Sequence, residues 1–179
     1  MSRSSLACAL VALGLPAITA ATMETGPARE RAQISGVFSM KVGQQQALPV
    51  ATPADPVLLL TQSSGTNRST GNAAYMEGAQ VTNREIADLT QGNGPHRGYI
   101  TQARGADTTV SSFEGKVITT PGPDQKPITR VEGTWSALKG TGQYDGVTGS
   151  GSYTGRMTSP TEYTVEWSGK ISTPRTASR

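Results

Sequence analysis

Several separate segments of this chain alternate between apolar or glycine residues and polar ones, and this alternation constrains the fold more than any other feature. In residues 34–42, one register reads Ile, Gly, Phe, Met and Val, while Ser or Lys occurs at three of the four positions between them. Residues 113–117 and 131–137 repeat the pattern. A period of two is that of a half-buried β-strand, whose successive side chains point to opposite faces of a sheet. The sequence therefore predicts an all-β protein.

Eight segments carry the alternation, and helical periodicity is nearly absent. They lie at about 34–44, 56–66, 74–87, 96–104, 107–119, 128–138, 149–158 and 161–172. Turn residues such as Asp145-Gly146 and Ser159-Pro160 separate them. Sequential strands with short connections favour an eight-stranded antiparallel up-and-down β-barrel, since closure removes exposed strand edges. A sandwich with Greek-key crossovers is the alternative.

The glycine-rich stretch from Gly140 to Met157 tests this interpretation, because such a composition is also typical of a flexible linker. From Gly151 onward, the apolar register continues through Tyr153, Gly155 and Met157. A linker would not keep this parity. We therefore expect a strand in which inward glycines leave space for large neighbouring side chains.

The ends of the chain are predicted to lie outside the barrel. Residues 1–20 have the charged start, short apolar run and small-residue site of a signal peptide, with cleavage expected near Ala20. Residues 21–33 are predicted to be a flexible lead-in, 34–172 a single barrel domain, and 173–179 a frayed tail. No segment has the roughly twenty apolar residues of a membrane span. We expect a secreted or periplasmic protein.

Composition argues against several classes of function. The only cysteine, Cys8, lies in the predicted signal, and the chain has 1 histidine, so thiolate or histidine-rich metal sites are not expected. We predict no metal and no other cofactor. The 16 basic residues are scattered along the chain and nearly balanced by 13 acidic ones. Since a basic patch is the usual mark of nucleic-acid binding, no nucleic-acid partner is predicted.

The glycine-rich motifs resemble those of a known group of proteins. The run GTGQYDGVTGSGSYTG at 140–155, with GTW at 133–135, resembles a signature of the allene oxide cyclase-like and dirigent-like barrel superfamily. The upstream segments YMEGA at 75–79 and QGNGPHRGY at 91–99 look like its small exported bacterial members, and the resemblance covers about residues 56–170. It implies an eight-stranded barrel whose lumen accepts a small, largely apolar molecule. Plant members cyclise an allene oxide or steer radical coupling without a cofactor, and several form trimers, so a homotrimer is a further expectation.

Inward-facing aromatic residues are the predicted ligand-binding groups, since an eight-stranded barrel is just wide enough to be filled or to hold one small molecule. Simple core packing is the alternative. The predicted set is Phe38, Tyr75, Phe113, Trp135, Tyr153, Tyr163 and Trp167.

Three polar residues complete the predicted site. If the third strand keeps Val81 inward, parity also sends Glu77 inward, where a carboxylate could act as a general acid or base; an outward Glu77 is the alternative. His96, expected at a strand start that follows a glycine-rich turn near a barrel mouth, could shuttle a proton; an exposed polar residue is the alternative. Asn93 could donate a hydrogen bond to a ligand, although an asparagine between two glycines is ordinarily a turn residue.

Three functions follow as hypotheses. The first is a cofactor-independent cyclase or isomerase that binds a small apolar or aromatic molecule. The second is a ligand carrier that uses the same lumen without catalysis. The third is a structural, oligomeric protein with a filled core.

Overall fold

The eight strands close into an antiparallel up-and-down barrel in the structure, a computed structural model that describes residues 29–52 and 56–174. Each strand pairs with its neighbours in sequence, and β1 pairs with β8 from Arg29 opposite Pro174 to Lys41 opposite Glu162. The strands are β1 (Arg29–Pro49), β2 (Val57–Ser69), β3 (Gln80–Leu89), β4 (Gly94–Arg104), β5 (Asp107–Pro121), β6 (Pro127–Thr141), β7 (Thr148–Met157) and β8 (Glu162–Pro174). The predicted barrel is confirmed, and the sandwich alternative is wrong.

Regular helix is confined to one short turn within the described ranges. A 3-10 helix at Gly142–Tyr144 links β6 to β7. No helix in residues 29–52 or 56–174 has the length and apolar character needed to cross a lipid bilayer.

The barrel extends beyond both predicted limits. β1 begins at Arg29 rather than at residue 34, so the end of the predicted lead-in is strand, and β8 continues to Pro174. Arg29 donates hydrogen bonds to the Ser172 and Gly146 carbonyl oxygens at 2.7 and 2.9 Å, which fixes the start of β1 against β8. The predicted signal peptide and residues 21–28 and 175–179 lie outside the described residues.

The predicted third strand is wrong over its first six residues. Instead of starting at 74, β3 starts at Gln80, and the preceding residues form a turn. Met76 and Gly78 have φ values of 49° and 71°, in the left-handed region that a strand does not use. The alternation of apolar residues through this segment therefore reflects a buried turn.

This turn closes one end of the barrel. Its residues Tyr75, Met76 and Ala79 are buried together with Tyr144 and Val147 from the β6–β7 connection. The Tyr75 and Tyr144 rings meet edge to face, with centroids 5.0 Å apart. We call these five residues the closed end. The opposite end carries the β1–β2, β3–β4, β5–β6 and β7–β8 connections and is called the open end.

Large rings inside the barrel lie over glycines of neighbouring strands. A Cβ atom added to Gly98 would lie 2.8 Å from the Phe113 ring, and one added to Gly151 would lie 2.7 Å from Trp135. Since nothing larger than a hydrogen fits beneath these rings, the inward glycines set where the aromatic side chains lie. The glycine-rich stretch is accordingly strand from Thr148 onward.

Candidate functional site

A cavity of about 490 Å³ lies inside the barrel. Its lining continues to the open end, where it includes Gly43, Leu89 and Pro160. At its other end it reaches Tyr75 of the closed end. The lumen is therefore a pocket with one mouth, within the size range of small-molecule sites.

The cavity wall differs from one side to the other. Below the mouth, many polar lining residues come from β2 to β5, and they include Ser63, Asn83, Glu85, His96, Gln102 and Ser111. The facing side, formed by β6, β8 and β1, is aromatic and aliphatic, with Trp135, Val165, Trp167, Phe38 and Ile34. We call these two sides the polar wall and the apolar wall.

The seven aromatic residues predicted to face the interior all line this cavity. Tyr75 does so from the turn of the closed end, not from a strand. Phe38 and Trp167 pack together with ring centroids 5.5 Å apart, and Trp167 also meets Tyr75 at 5.8 Å. Part of each ring therefore serves packing, and the rest faces the lumen.

Glu77 does not face the lumen, and its expected inward position is wrong. It lies exposed in the turn before β3, where its Oε2 atom accepts a hydrogen bond from the Ser69 amide at 2.5 Å. Parity failed here because the backbone leaves the extended conformation at Met76 and Gly78. Glu77 holds the turn of the closed end and is removed from the candidate catalytic residues.

Asn93 is also outside the cavity lining, so its predicted ligand contact is wrong. It is exposed at the end of the β3–β4 turn, where Gln91 and Gly92 have φ values of 51° and 76°. Two such residues are typical of a two-residue hairpin turn of type I′. The Asn93 side chain donates to the Gln91 carbonyl at 3.0 Å and accepts from the Thr119 amide at 2.9 Å. Its role is to stabilise the turn.

His96 lies near the start of strand β4, as expected, but it is only 4% exposed, so the alternative of an exposed polar residue is wrong. Both of its ring nitrogens have partners. Nδ1 lies 2.7 Å from Glu85 Oε1, and Nε2 lies 2.8 Å from the Tyr153 hydroxyl. These three side chains form one hydrogen-bonded chain on the cavity surface, which we call the relay.

The hydrogen bonds of the relay determine the tautomer of the neutral imidazole. Glu85 Oε2 already accepts a hydrogen bond from Asn83 Nδ2 at 3.0 Å, as expected for a carboxylate that only accepts. Nδ1 of His96 therefore carries the proton that binds Glu85. In neutral His96 the Nε2 atom is then the acceptor, and the Tyr153 hydroxyl donates to it.

Glycines on β5 and β6 leave the space in which the Tyr153 side chain extends from β7 to His96 on β4. Tyr153 pairs with Gly133 on β6, Gly133 pairs with Gly115 on β5, and Gly115 pairs with His96 on β4. A Cβ atom on Gly115 or Gly133 would lie only 2.5 or 2.6 Å from the Tyr153 hydroxyl oxygen. The phenol ring thus lies along the inner wall across two strands that have no side chain at that level.

Glu85 is the residue of the relay that the sequence analysis did not single out. The parity argument that was extended backward from Val81 to Glu77 holds when it is extended forward, because β3 is regular from Gln80 to Leu89. It then places Asn83 and Glu85 inward. The sequence signal that could have identified Glu85 is a carboxylate at an inward position of a regular strand.

Burial raises the pKa of the lumen tyrosines. For Tyr153, burial is the main cause, and the negative charges of Glu85 and Glu114 add to it. Burial also raises the pKa of Tyr163. At the closed end, burial raises the pKa of Tyr75 to about 12. All three phenols are therefore protonated donors at neutral pH.

Two other kinds of site find no support in the described residues. No group of three His, Cys, Asp or Glu side chains in residues 29–52 and 56–174 is arranged to hold a metal ion. Asn67 fits a glycosylation sequon with Arg68 and Ser69, but it is only 2% exposed. Its amide is engaged inside the barrel, so the sequon is not accessible.

Comparison with known proteins finds likeness only at the level of structure. No protein-family model and no curated protein matches the sequence. The pterocarpan synthase dirigent protein GePTS1 is similar over 89% of this chain and 100% of its own, with 11% identity and a TM-score of 0.47. The pterocarpan synthase dirigent protein PsPTS1 is similar over 82% of this chain and 97% of its own, with 12% identity and a TM-score of 0.48. Likeness at this level says nothing about what the lumen binds, and the barrel architecture stands on the strand pairing of this chain.

Proposed function

We propose that this barrel binds a small, largely apolar or aromatic molecule in its lumen and catalyses a cofactor-independent isomerisation or cyclisation by moving a proton. The observation that carries the proposal is the Glu85–His96–Tyr153 relay on the surface of a cavity that is otherwise mainly apolar. Buried titratable groups concentrated in one pocket are a recurring mark of an active site.

The relay supplies a general base and returns the same proton as a general acid. The Tyr153 oxygen accepts a proton from the bound molecule while its own proton passes to His96 Nε2. The imidazolium formed is stabilised by the Glu85 carboxylate, 2.7 Å from Nδ1. Because burial raises the pKa of Tyr153, a free phenolate is disfavoured, and the two proton movements are coupled. Return of the proton to a different atom of the ligand completes an isomerisation.

The apolar wall restricts the conformation of the bound molecule. A flexible apolar molecule held against Trp135 and Trp167 is restricted to few conformations, which lowers the entropic cost of a cyclisation. Its exclusion of water from the pocket also strengthens the hydrogen bonds of the relay.

A test of the relay needs a substrate whose reaction reports on any base in an apolar pocket. 5-Nitrobenzisoxazole opens when a base removes its ring proton, and product appearance is followed by absorbance. We expect Tyr153→Phe and Glu85→Gln to lower kcat/KM by 10²- to 10⁴-fold, the usual contribution of general base catalysis. Glu77→Gln is the matched control, since it neutralises a carboxylate outside the cavity. Equal rates in all four proteins would reject the catalytic role and leave the carrier hypothesis.

Ligand binding can be followed by intrinsic tryptophan fluorescence. The chain contains 2 tryptophans, Trp135 and Trp167, and both line the cavity. A ligand in the lumen should therefore change most of the tryptophan fluorescence. Mass spectrometry of small molecules that co-purify with the protein from its own source would identify the natural ligand. A cavity of this size favours these two hypotheses over the filled-core structural one.

The outer surface suggests a contact between copies of the chain, in line with the expected homotrimer. Exposed apolar side chains follow one another across β1, β2 and β3, where Leu48 pairs with Leu58 and Leu60 pairs with Ile86. Contiguous apolar patches of this kind mark interaction surfaces. Sedimentation analysis of Leu60→Glu, with Ile128→Glu as an exposed control on β6, tests this: only the former should shift the protein toward monomer.

Export is likewise a proposal, based on the signal-like residues 1–20. Intact-mass measurement of the mature protein should then show a chain that begins near Ala21. A chain that retains Met1 would overturn it.

A further inference from the structure

Three buried side-chain atoms in the polar wall have no partner among the residues that the structure describes, and one of them is the Ser63 hydroxyl oxygen, whose O–H can also donate. The other two, Asn83 Oδ1 and Gln102 Oε1, can only accept, and their residues are 4% and 5% exposed. Both side chains line the cavity. More than nine-tenths of buried polar groups in folded proteins are hydrogen-bonded, so each exception requires an explanation.

The orientation of the Asn83 amide is set by its neighbours. Its Nδ2 atom donates to Glu85 Oε2 at 3.0 Å and to the Tyr163 hydroxyl at 3.2 Å. Reversing the amide would place two oxygens, Oδ1 and the Glu85 carboxylate, against each other. Asn83 Oδ1 is therefore the atom left without a donor.

Gln102 lies beside Asn83 on the same wall. On β4 it pairs with Val81 of β3, two residues before Asn83, so the two amides are diagonal neighbours on the inner face. Both lie farther from the open end than His96, which pairs with Ala87. The two acceptors thus form one polar spot deeper in the lumen than the relay.

We propose that this spot is a subsite for a neutral hydrogen-bond donor, a hydroxyl or N–H group, at the inner end of the ligand. The inference rests on the proposed ligand-binding lumen and deepens it. Acceptor atoms require a donor, and the nearby Glu85 carboxylate repels an anionic group. The two acceptors are themselves uncharged amide oxygens, and each Glu85 oxygen already accepts one hydrogen bond, from His96 or Asn83, so we assign the spot to an uncharged donor. The ligand is accordingly amphipathic, with its donor deep in the pocket and its apolar body against the apolar wall.

The test compares three probes of nearly equal shape by calorimetric titration. Biphenyl-4-methanol carries the hydroxyl, 4-ethylbiphenyl replaces it with a methyl group, and biphenyl-4-carboxylate carries a negative charge. We expect the alcohol to bind on the order of tenfold more tightly than 4-ethylbiphenyl, and the carboxylate to bind most weakly. In Gln102→Met, which removes an acceptor at similar volume, the advantage of the alcohol should fall to a few-fold or less. Gln80→Met, an exposed glutamine of β3, is the matched control and should keep it.

A second measurement needs no ligand. Because Gln102→Met removes a buried acceptor that has no partner, Tm should rise by about 2 to 4 °C, whereas Gln80→Met should leave it unchanged. An unchanged or lower Tm in Gln102→Met overturns the inference.

The outcomes separate this inference from the proposal on which it rests. If all three probes bind with equal affinity, the donor subsite is wrong while the binding lumen stands. If none binds and tryptophan fluorescence does not respond, the binding lumen is wrong and the subsite with it. A preference for the alcohol that persists in Gln102→Met also overturns the subsite.

Discussion

Two buried asparagines in this barrel show how its closed end differs from its lumen. Asn67, beside the closed end, uses its whole amide: Nδ2 donates to the Tyr75 and Met76 carbonyls at 3.0 and 2.9 Å, and Oδ1 accepts from Trp167 Nε1 at 3.3 Å. Asn83, in the polar wall, donates from Nδ2 but leaves Oδ1 without a partner among the described residues. Both are nearly inaccessible, at 2% and 4% exposure.

The difference indicates that the two regions have different roles. A fully paired buried amide holds surrounding backbone in place, and at the closed end it fixes the turn that forms the floor of the lumen. An incompletely paired one lowers stability and persists where a ligand can complete it. We therefore expect substitutions at the closed end to act on stability and substitutions in the polar wall to act on binding and catalysis.

The largest expected effect on stability is at Asn67. Asn67→Leu leaves the Tyr75 carbonyl and the Trp167 indole N–H without partners and removes one of the two donors to the Met76 carbonyl, so the free energy of unfolding should fall by about 3–5 kcal/mol. Asn83→Leu, the matched change in the polar wall, should cost less, about 1–2 kcal/mol, because the loss of the bonds to Glu85 and Tyr163 is partly offset by removal of an unpaired oxygen. Urea unfolding measures both. Equal losses would remove the distinction between the two regions.

A second effect concerns pH at the closed end. Tyr75 has a pKa of about 12 in the folded protein, above its ordinary value of 10.0, so the folded state holds the proton more tightly. The stability that this provides is complete below about pH 10 and is lost as pH rises through about 12, in total about 3 kcal/mol. Tyr75→Phe should reduce the slope of unfolding free energy against pH in this range. An unchanged slope would show that Tyr75 ionises freely in the folded state.

A smaller effect is expected where the relay crosses the barrel. Gly133→Ala places a Cβ atom against the Glu114 carbonyl oxygen, 2.6 Å from the Tyr153 hydroxyl and 2.7 Å from Gly115 Cα, and should destabilise the barrel by about 1–3 kcal/mol. Gly43→Ala is the control, since its nearest contact would be an ordinary 3.7 Å. Thermal unfolding compares the two. Equal stability would mean that the glycines of β5 and β6 do not position Tyr153.

The sequence predicted the barrel because alternation and turn residues are local signals that closure preserves. Phe113, Trp135 and Trp167 were placed inward by parity, and parity holds wherever the strand is regular. It failed at Glu77, where Met76 and Gly78 adopt left-handed backbone, whereas in the forward direction along β3 it holds through Glu85. The relay could not be predicted from spacing, because Glu85, His96 and Tyr153 meet only when β7 faces β4 across two glycines.

The most direct test of the relay is the protonation of the imidazole, and His96 is the only histidine in the chain. When the imidazole is neutral, nitrogen-15 NMR of histidine-labelled protein should show one slowly exchanging tautomer, protonated at Nδ1 and accepting a hydrogen bond at Nε2. Tyr153→Phe should shift the Nε2 resonance and leave Nδ1 nearly unchanged. A tautomer protonated at Nε2, or the averaged signals of a freely exchanging imidazole, would contradict the relay and the proton transfer built on it.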